Sequence, residues 1–171
     1  MTLRRALDAL YDAAGYLAAL SMVGTLAMVV VGIAGRLLHF HVPGTDAYAG
    51  YCMAASGFLA LAYTLKRGEH IRVTLLIEHA GPRVKRALEL WSLGVATLLA
   101  ALFAFYGVRL AYQSWQFNDV STGNDATPLW LPQLGMAVGT VVLLIAVADE
   151  LVREIRGQRS VAQPAEALRN E

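Results

Sequence analysis

The chain has 171 residues; 57% are hydrophobic, 16% are charged, and the formal net charge is +1. Soluble domains are nearer a quarter charged, so this chain has too few polar groups to cover a water-exposed surface, and it is far too apolar to be disordered. Near-neutrality gives no footing for nucleic acid, and the lone Cys52 excludes an internal disulfide or a cysteine-based metal site.

Arg4 and Arg5 open the chain and lead into residues 13–35, 23 positions without Asp, Glu, Lys or Arg. A transmembrane helix needs roughly 20 mostly apolar residues, so this is the first predicted span. A cleaved signal peptide is the rival reading, but its apolar core usually runs to about 7–15 residues. No small-x-small cleavage site followed by a soluble domain is present.

Pro43 and Gly44 mark a turn, and residues 47–65 form a second charge-free stretch of 19. It is the least hydrophobic, holding Tyr48, Tyr51, Ser56, Tyr63 and Thr64, so neighbours are expected to enclose it. Beyond it, residues 70–79 mix Ile71, Val73, Leu75, Leu76 and Ile77 with polar groups. Gly81-Pro82 then breaks the chain, Pro82 suits the first turn of a new helix, and Val84 and Leu88 alternate with Arg83, Lys85 and Arg86. This pattern predicts an amphipathic segment in the membrane interface between helices 2 and 3. Residues 90–108 give a third stretch of 19 and residues 126–148 a fourth of 23. Pro128 and Pro132 delay the fourth helix to about Leu131 or Pro132. The expected fold is all-α, an integral-membrane four-transmembrane-helix domain over residues 1–156, with a mobile tail over residues 157–171.

Basic residues set the orientation. Arg4 and Arg5, six between helices 2 and 3, and four after helix 4 make twelve of the 14 on one side. Arg36 and Arg109 alone stand on the other. The positive-inside rule places both termini in the cytoplasm.

The chemistry missing from these stretches matters as much as their length. Their middles hold hydroxyls but no ionisable side chain, which argues against a stand-alone proton-coupled carrier. Two facing histidines for a haem, cysteine pairs for disulfide exchange, a nucleophile elbow and a phosphate loop are all absent. The expectation is therefore no cofactor and no metal. His39 and His41 form the one close histidine pair and read as interfacial residues, and Cys52 reads as a small packing residue.

Polar chemistry gathers at the helix ends. Lys66, Arg67, Glu69, His70 and Arg72 follow helix 2. They read as a membrane anchor, or more sharply as a knot tying helix ends together, with Asp149 and Glu150 as candidate partners of Lys66 or Arg67. On the other side, residues 121–132 carry Ser121, Pro128, Trp130 and Pro132. This is the composition of an ordered cap, with Trp130 at headgroup level. Gly135-x-x-x-Gly139 and the series Ala96, Ala100 and Ala104 let helices approach closely.

At these residues the chain resembles the small permease subunit of tripartite ATP-independent periplasmic (TRAP) transporters, the DctQ type. Residues 65–73, LKRGEHIRV, are similar to that family's basic-His-Ile-x-Val signature after helix 2. Gly35-Arg36 at the end of helix 1 and Ser121…Pro128-x-Trp130-x-Pro132 add to it, and the likeness covers residues 5–156. The chain departs from the family around Asp46, Tyr48 and Tyr51, where many members carry a Trp and an acidic pair. The resemblance implies a non-enzymatic scaffold in the bacterial inner membrane, working with a large membrane subunit and a periplasmic solute-binding protein to import a small organic solute, with organic acids the family-level expectation. Arg36, Asp46, Lys66, Arg67, Glu69, His70 and Arg72, with Ser121, Pro128, Trp130 and Pro132, would then be the scaffold and partner contacts beside membrane lipids. A reading from another class is a self-contained four-helix redox or lipid-handling protein, which would need a midplane polar site that this sequence lacks.

Overall fold

The computed structural model describes residues 2–40, 42–67 and 81–157. Four α-helices account for nearly all of them: α1 (Thr2–Leu37), α2 (Thr45–Arg67), α3 (Pro82–Gln116) and α4 (Trp130–Ile155). At 1.5 Å per residue, the 36 residues of α1 and 35 of α3 are each more than 50 Å long. Three of the helices, α1, α3 and α4, are long and apolar enough to cross a membrane. The second falls outside that group through its tyrosines and hydroxyls, although its 23 residues have the length.

The helices lie in the spatial order α1, α2, α4, α3. Neighbours in that row pack along their lengths, and α1 touches α4 only briefly. The less hydrophobic α2 therefore has a helix on each side, as its composition required.

The packing inverts the pattern of a water-soluble bundle. Ala14 and Ala18 are buried, while Leu17, Leu20, Val23, Leu26 and Val30 on the same helix point outward. Small residues inside let backbones approach, and large apolar ones outside suit lipid. Along α1, a Cβ added at Gly24 would come within 3.2 Å of Cys52 Sγ, and one at Gly32 within 3.1 Å of Thr45 Oγ1. Cys52 thus has the packing role expected of it. The Gly135-x-x-x-Gly139 pair faces α2: a Cβ at Gly139 would lie 2.6 Å from the Phe58 backbone. On α3 the buried series is Leu93, Ala100, Ala104, Gly107, Ala111 and Ser114, spaced in threes and fours after one step of seven. Gly107 meets Thr140, which is fully buried and returns its hydroxyl to the carbonyls of Met136 and Ala137.

Chain reversals follow local chemistry. His39 takes a left-handed conformation (φ 60°), and the Phe40 N–H closes on the Gly35 carbonyl at 3.0 Å. Asn118 (φ 53°) ends α3 the same way, with the Asp119 N–H on the Ser114 carbonyl. This is the six-to-one closure common at helix C-termini. Helix α4 begins at Trp130, a residue or two before the expected start, with Pro132 in its first turn, where a missing N–H costs nothing. Pro82 opens α3 as expected, and residues 82–89 run unbroken into that helix. Residues 70–79, the rest of the expected interfacial segment, lie outside the described residues, as do His41 and residues 158–171 of the expected tail.

Candidate functional site

Two polar clusters sit at opposite ends of the row. The first joins the N-terminal turns of α1 to the C-terminal ends of α2 and α4. Arg4 donates to Asp149 at 2.8 Å and lies 3.4 Å from Asp8, one turn along its own helix. Lys66 closes on the same Asp8 oxygen, Oδ1, and stands 5.2 Å over the Tyr11 ring. Tyr11 is only 2% exposed and anchors a small core with Ala14, Ala62, Val142 and Ala146. The result is a chain of alternating charge, Asp149–Arg4–Asp8–Lys66, tying three helices together.

Of the residues expected to tie helix ends together, Lys66 does so, with a different partner. Lys66 pairs with Asp8 rather than with Asp149 or Glu150, and Arg67 lies over the Tyr63 ring at 5.0 Å. Glu150 pairs with Arg153 one turn on. The reason is the row itself: α1 lies against α2, so its acidic first turns reach Lys66 first. Glu69, His70 and Arg72 lie outside the described residues. Arg86 of α3 adds a 3.3 Å bond to the Ile155 carbonyl at the end of α4.

The second cluster forms the opposite end. Residues 119–129 pinch into a short hairpin, with Val120 bridged to Pro128, the Ser121 N–H on the Thr127 carbonyl and the Leu129 N–H on the Asp119 carbonyl. At its tip, Asp125 accepts hydrogen bonds from Ser121 Oγ at 2.7 Å and Tyr51 OH at 2.9 Å. Thr127 Oγ1 lies 3.2 Å from Tyr48 OH, and the Tyr48 and Tyr51 rings meet edge to face at 6.1 Å. Gly44 (φ 79°) closes the other loop against the same residue: a Cβ there would lie 2.7 Å from Asp125 Cβ. Both loops are thus locked to each other and to α2 through Asp125. Arg36 and Asp46, both largely exposed, pair at 3.4 Å at the edge of this end. Trp130 borders an apolar groove between α3 and α4, with Val108, Trp115 and Leu134.

The Ser121 hydrogen bond, seconded by Thr127 and Tyr51 and opposed by burial, holds the Asp125 carboxyl down at about 2, against an ordinary 3.8. The charged form is the one the cap binds. Its contribution is complete above the ordinary value and is lost as pH falls through the folded one. Hydrogen exchange of the 119–129 amides should therefore be slow at pH 5 and accelerate between about pH 4 and 2, after correction for the intrinsic rate. Asp125→Ala should give fast exchange at every pH, and Tyr51→Phe a smaller increase, since it removes one donor of several. An acid response that survives Asp125→Ala would assign it to another group.

Sequence reasoning named Ser121, Arg36, Asp46, Lys66, Arg67, Pro128, Trp130 and Pro132. It missed the two hubs, Asp125 and Asp8, together with Arg4, Tyr11 and Tyr51. Arg4 and Asp8 do stand at the i,i+4 spacing of a helical ion pair. Nothing local in the sequence ties Tyr51 to Asp125, 74 positions away.

Charged groups gather at the helix ends and small residues line the helix contacts, as suits a bundle embedded in a membrane. The sequence matches the family model for tripartite ATP-independent periplasmic transporters, DctQ component, over residues 25–157. The chain belongs to the DctQ family. The match starts in the second half of α1 and runs through both loops of the Asp125 cap to the end of α4. DctQ proteins are transporter components rather than an enzyme family, and they work with a large membrane subunit and a periplasmic binding protein. No curated protein matches the chain.

Proposed function

We propose that this DctQ chain is a four-span scaffold subunit of an importer for a small organic solute, with organic acids the leading class. It would lie in the bacterial inner membrane with both termini in the cytoplasm. The observation that carries this reading is the distribution of charge. No stretch that would cross lipid holds an ionisable group at its middle, where a carrier would need one. What the chain has instead is rigid ends. The Asp149–Arg4–Asp8–Lys66 knot would face the cytoplasm, where twelve of 14 basic residues fall. The Asp125 cap would face the periplasm beside Arg36, Asp46 and Trp130 and help seat the binding protein. Helix α2 is read as the fourth span because it runs alongside both α1 and α4 for its length.

Removal of this subunit from the assembled transporter should abolish solute uptake while the binding protein still captures its ligand. The measurement is radiolabelled uptake into proteoliposomes holding the large subunit, with and without this chain. Undiminished uptake without it would sink the scaffold reading. Reversing Arg36 and Asp46 together should weaken docking of the binding protein and leave bundle stability unchanged, since both side chains are largely exposed.

A further inference from the structure

The glycine contacts fix which residues of neighbouring helices stand level, and the charge-free stretches fix where each helix meets lipid. The two registers disagree in a regular way. The charge-free stretch of α1 centres on Gly24, which stands level with Cys52 of α2. That of α2 centres on Ser56, four residues or about 6 Å further toward the knot. Its neighbour Ala55 stands level with Gly135 of α4, whose charge-free helical part, residues 130–148, centres on Gly139, again about 5 Å toward the knot. Thr140, beside it, meets Gly107 of α3, yet the α3 stretch centres on Leu99, about 12 Å further still in the same direction.

Each step has the same sign. Across three helix spacings of about 9 Å, the apolar centre shifts by roughly 22 Å. Exposed aromatics repeat the offset independently. Tyr16 (78% exposed) and Trp91 (70% exposed) lie at the knot-side edges of the stretches in α1 and α3. In the frame of the bundle they are some 20 Å apart along the helix axes. An upright bundle would leave the Tyr16 hydroxyl near mid-bilayer, whereas interfacial aromatics belong at the headgroups.

We propose that the row sits obliquely in the bilayer, tilted within its own plane by on the order of 40°, at the upper end of the range for membrane helices. The lipid-facing surface is then a slanted belt. Its cap-side edge passes through Arg36 on α1, Trp130 on α4 and Arg109 on α3, and its knot-side edge passes near Tyr16, Lys66, Asp149 and Trp91. Arg109 lies on the face of α3 opposite the buried alanine series, and on this belt its partner is a lipid phosphate. The last two turns of α3 stand above the lipid and lift the Asp125 cap on that side. The inference rests on the four-span reading for its topology but on α1, α3 and α4 alone for its test.

The test is nitroxide depth measurement on the full chain in phosphatidylethanolamine–phosphatidylglycerol liposomes. Single cysteines go into a Cys52→Ser background at Leu17, Val23, Leu98, Tyr106 and Val138, all exposed to lipid. The oxygen-to-nickel accessibility ratio should be highest at Val23, Leu98 and Val138, with Leu17 and Tyr106 some 7–9 Å shallower once the tilt is allowed for. An upright bundle gives the reverse order, with Leu17, Tyr106 and Val138 deepest, and overturns the proposal. Labels at Tyr16 and Val108 replace those at Leu17 and Tyr106 if a first variant fails to insert. The liposomes contain no partner, so loss of the scaffold function would leave the depth order standing, and an upright order would leave the scaffold function standing.

Discussion

Gly139→Val should be the most damaging single substitution among the helix contacts. A Cβ at this position would sit 2.6 Å from the Phe58 carbonyl carbon and oxygen and 2.8 Å from its Cβ. The obstacle is backbone, which cannot rotate away, so α2 and α4 must separate. Overpacking a tight core costs about 1–3 kcal/mol where side chains can yield; here the upper end or beyond is expected. The loss reaches past one interface, because α2 and α4 are the two inner helices of the row. Gly135→Ala should cost less, since its nearest neighbour is the Ala55 side chain at 2.8 Å. Gly94→Ala should be neutral or slightly stabilising, because nothing lies within 4 Å and alanine is the better helix former. Thermal unfolding in detergent across the three variants checks the order. If Gly94→Ala proves as harmful as Gly139→Val, close approach is not what holds these helices.

How much of this was legible in the sequence depends on the range of the interaction. Helix number, the glycine pair on α4, the turn at Gly44 and the start at Pro82 are local properties of charge, size or backbone freedom, and the chain displays them directly. The row order is not local. An amphipathic pattern normally tells which helix face is buried, but here both faces are apolar, and only residue size separates inside from outside. The small residues of α1 mark its packing face without saying which helix it meets. The same blindness explains the exchanged partners in the knot. Lys66 and Asp149 end their helices on one side, which makes them natural partners in the sequence; α1 takes Lys66 instead by lying against α2, where its Asp8 meets Lys66. Asp125 was invisible for the opposite reason. A loop aspartate is ordinary until Tyr51, Ser121 and Gly44 are seen to converge on it.

The second large effect is expected at the knot. Exposed ion pairs contribute little, commonly 0.2–1 kcal/mol, because water screens them and long side chains lose freedom. Arg4 differs in geometry rather than kind. It touches Asp8 and Asp149 together, on two helices, and Asp149 keeps only 19% of its side-chain surface exposed. It also stands where α1, otherwise held by α2, reaches α4. Arg4→Glu would set three carboxyl groups around one point, with Lys66 as the nearest described cation. Destabilisation of about 2–3 kcal/mol is expected, because removing one partner of a partly buried network leaves the others uncompensated. The paired reversal, Arg4→Glu with Asp149→Arg, should recover part of that loss but not all, since Asp8 and Lys66 keep their original signs. Asp8→Asn should cost less than Arg4→Glu, and the coupling between Asp8 and Lys66 should shrink as salt is raised. A disulfide trap between the first turns of α1 and the last turns of α4 reports the geometry directly. Crosslinking should fall with Arg4→Glu and return with the double reversal. If crosslinking is unchanged while stability drops, α1 is held in place by the Tyr11 core, and the charges only trim its energy.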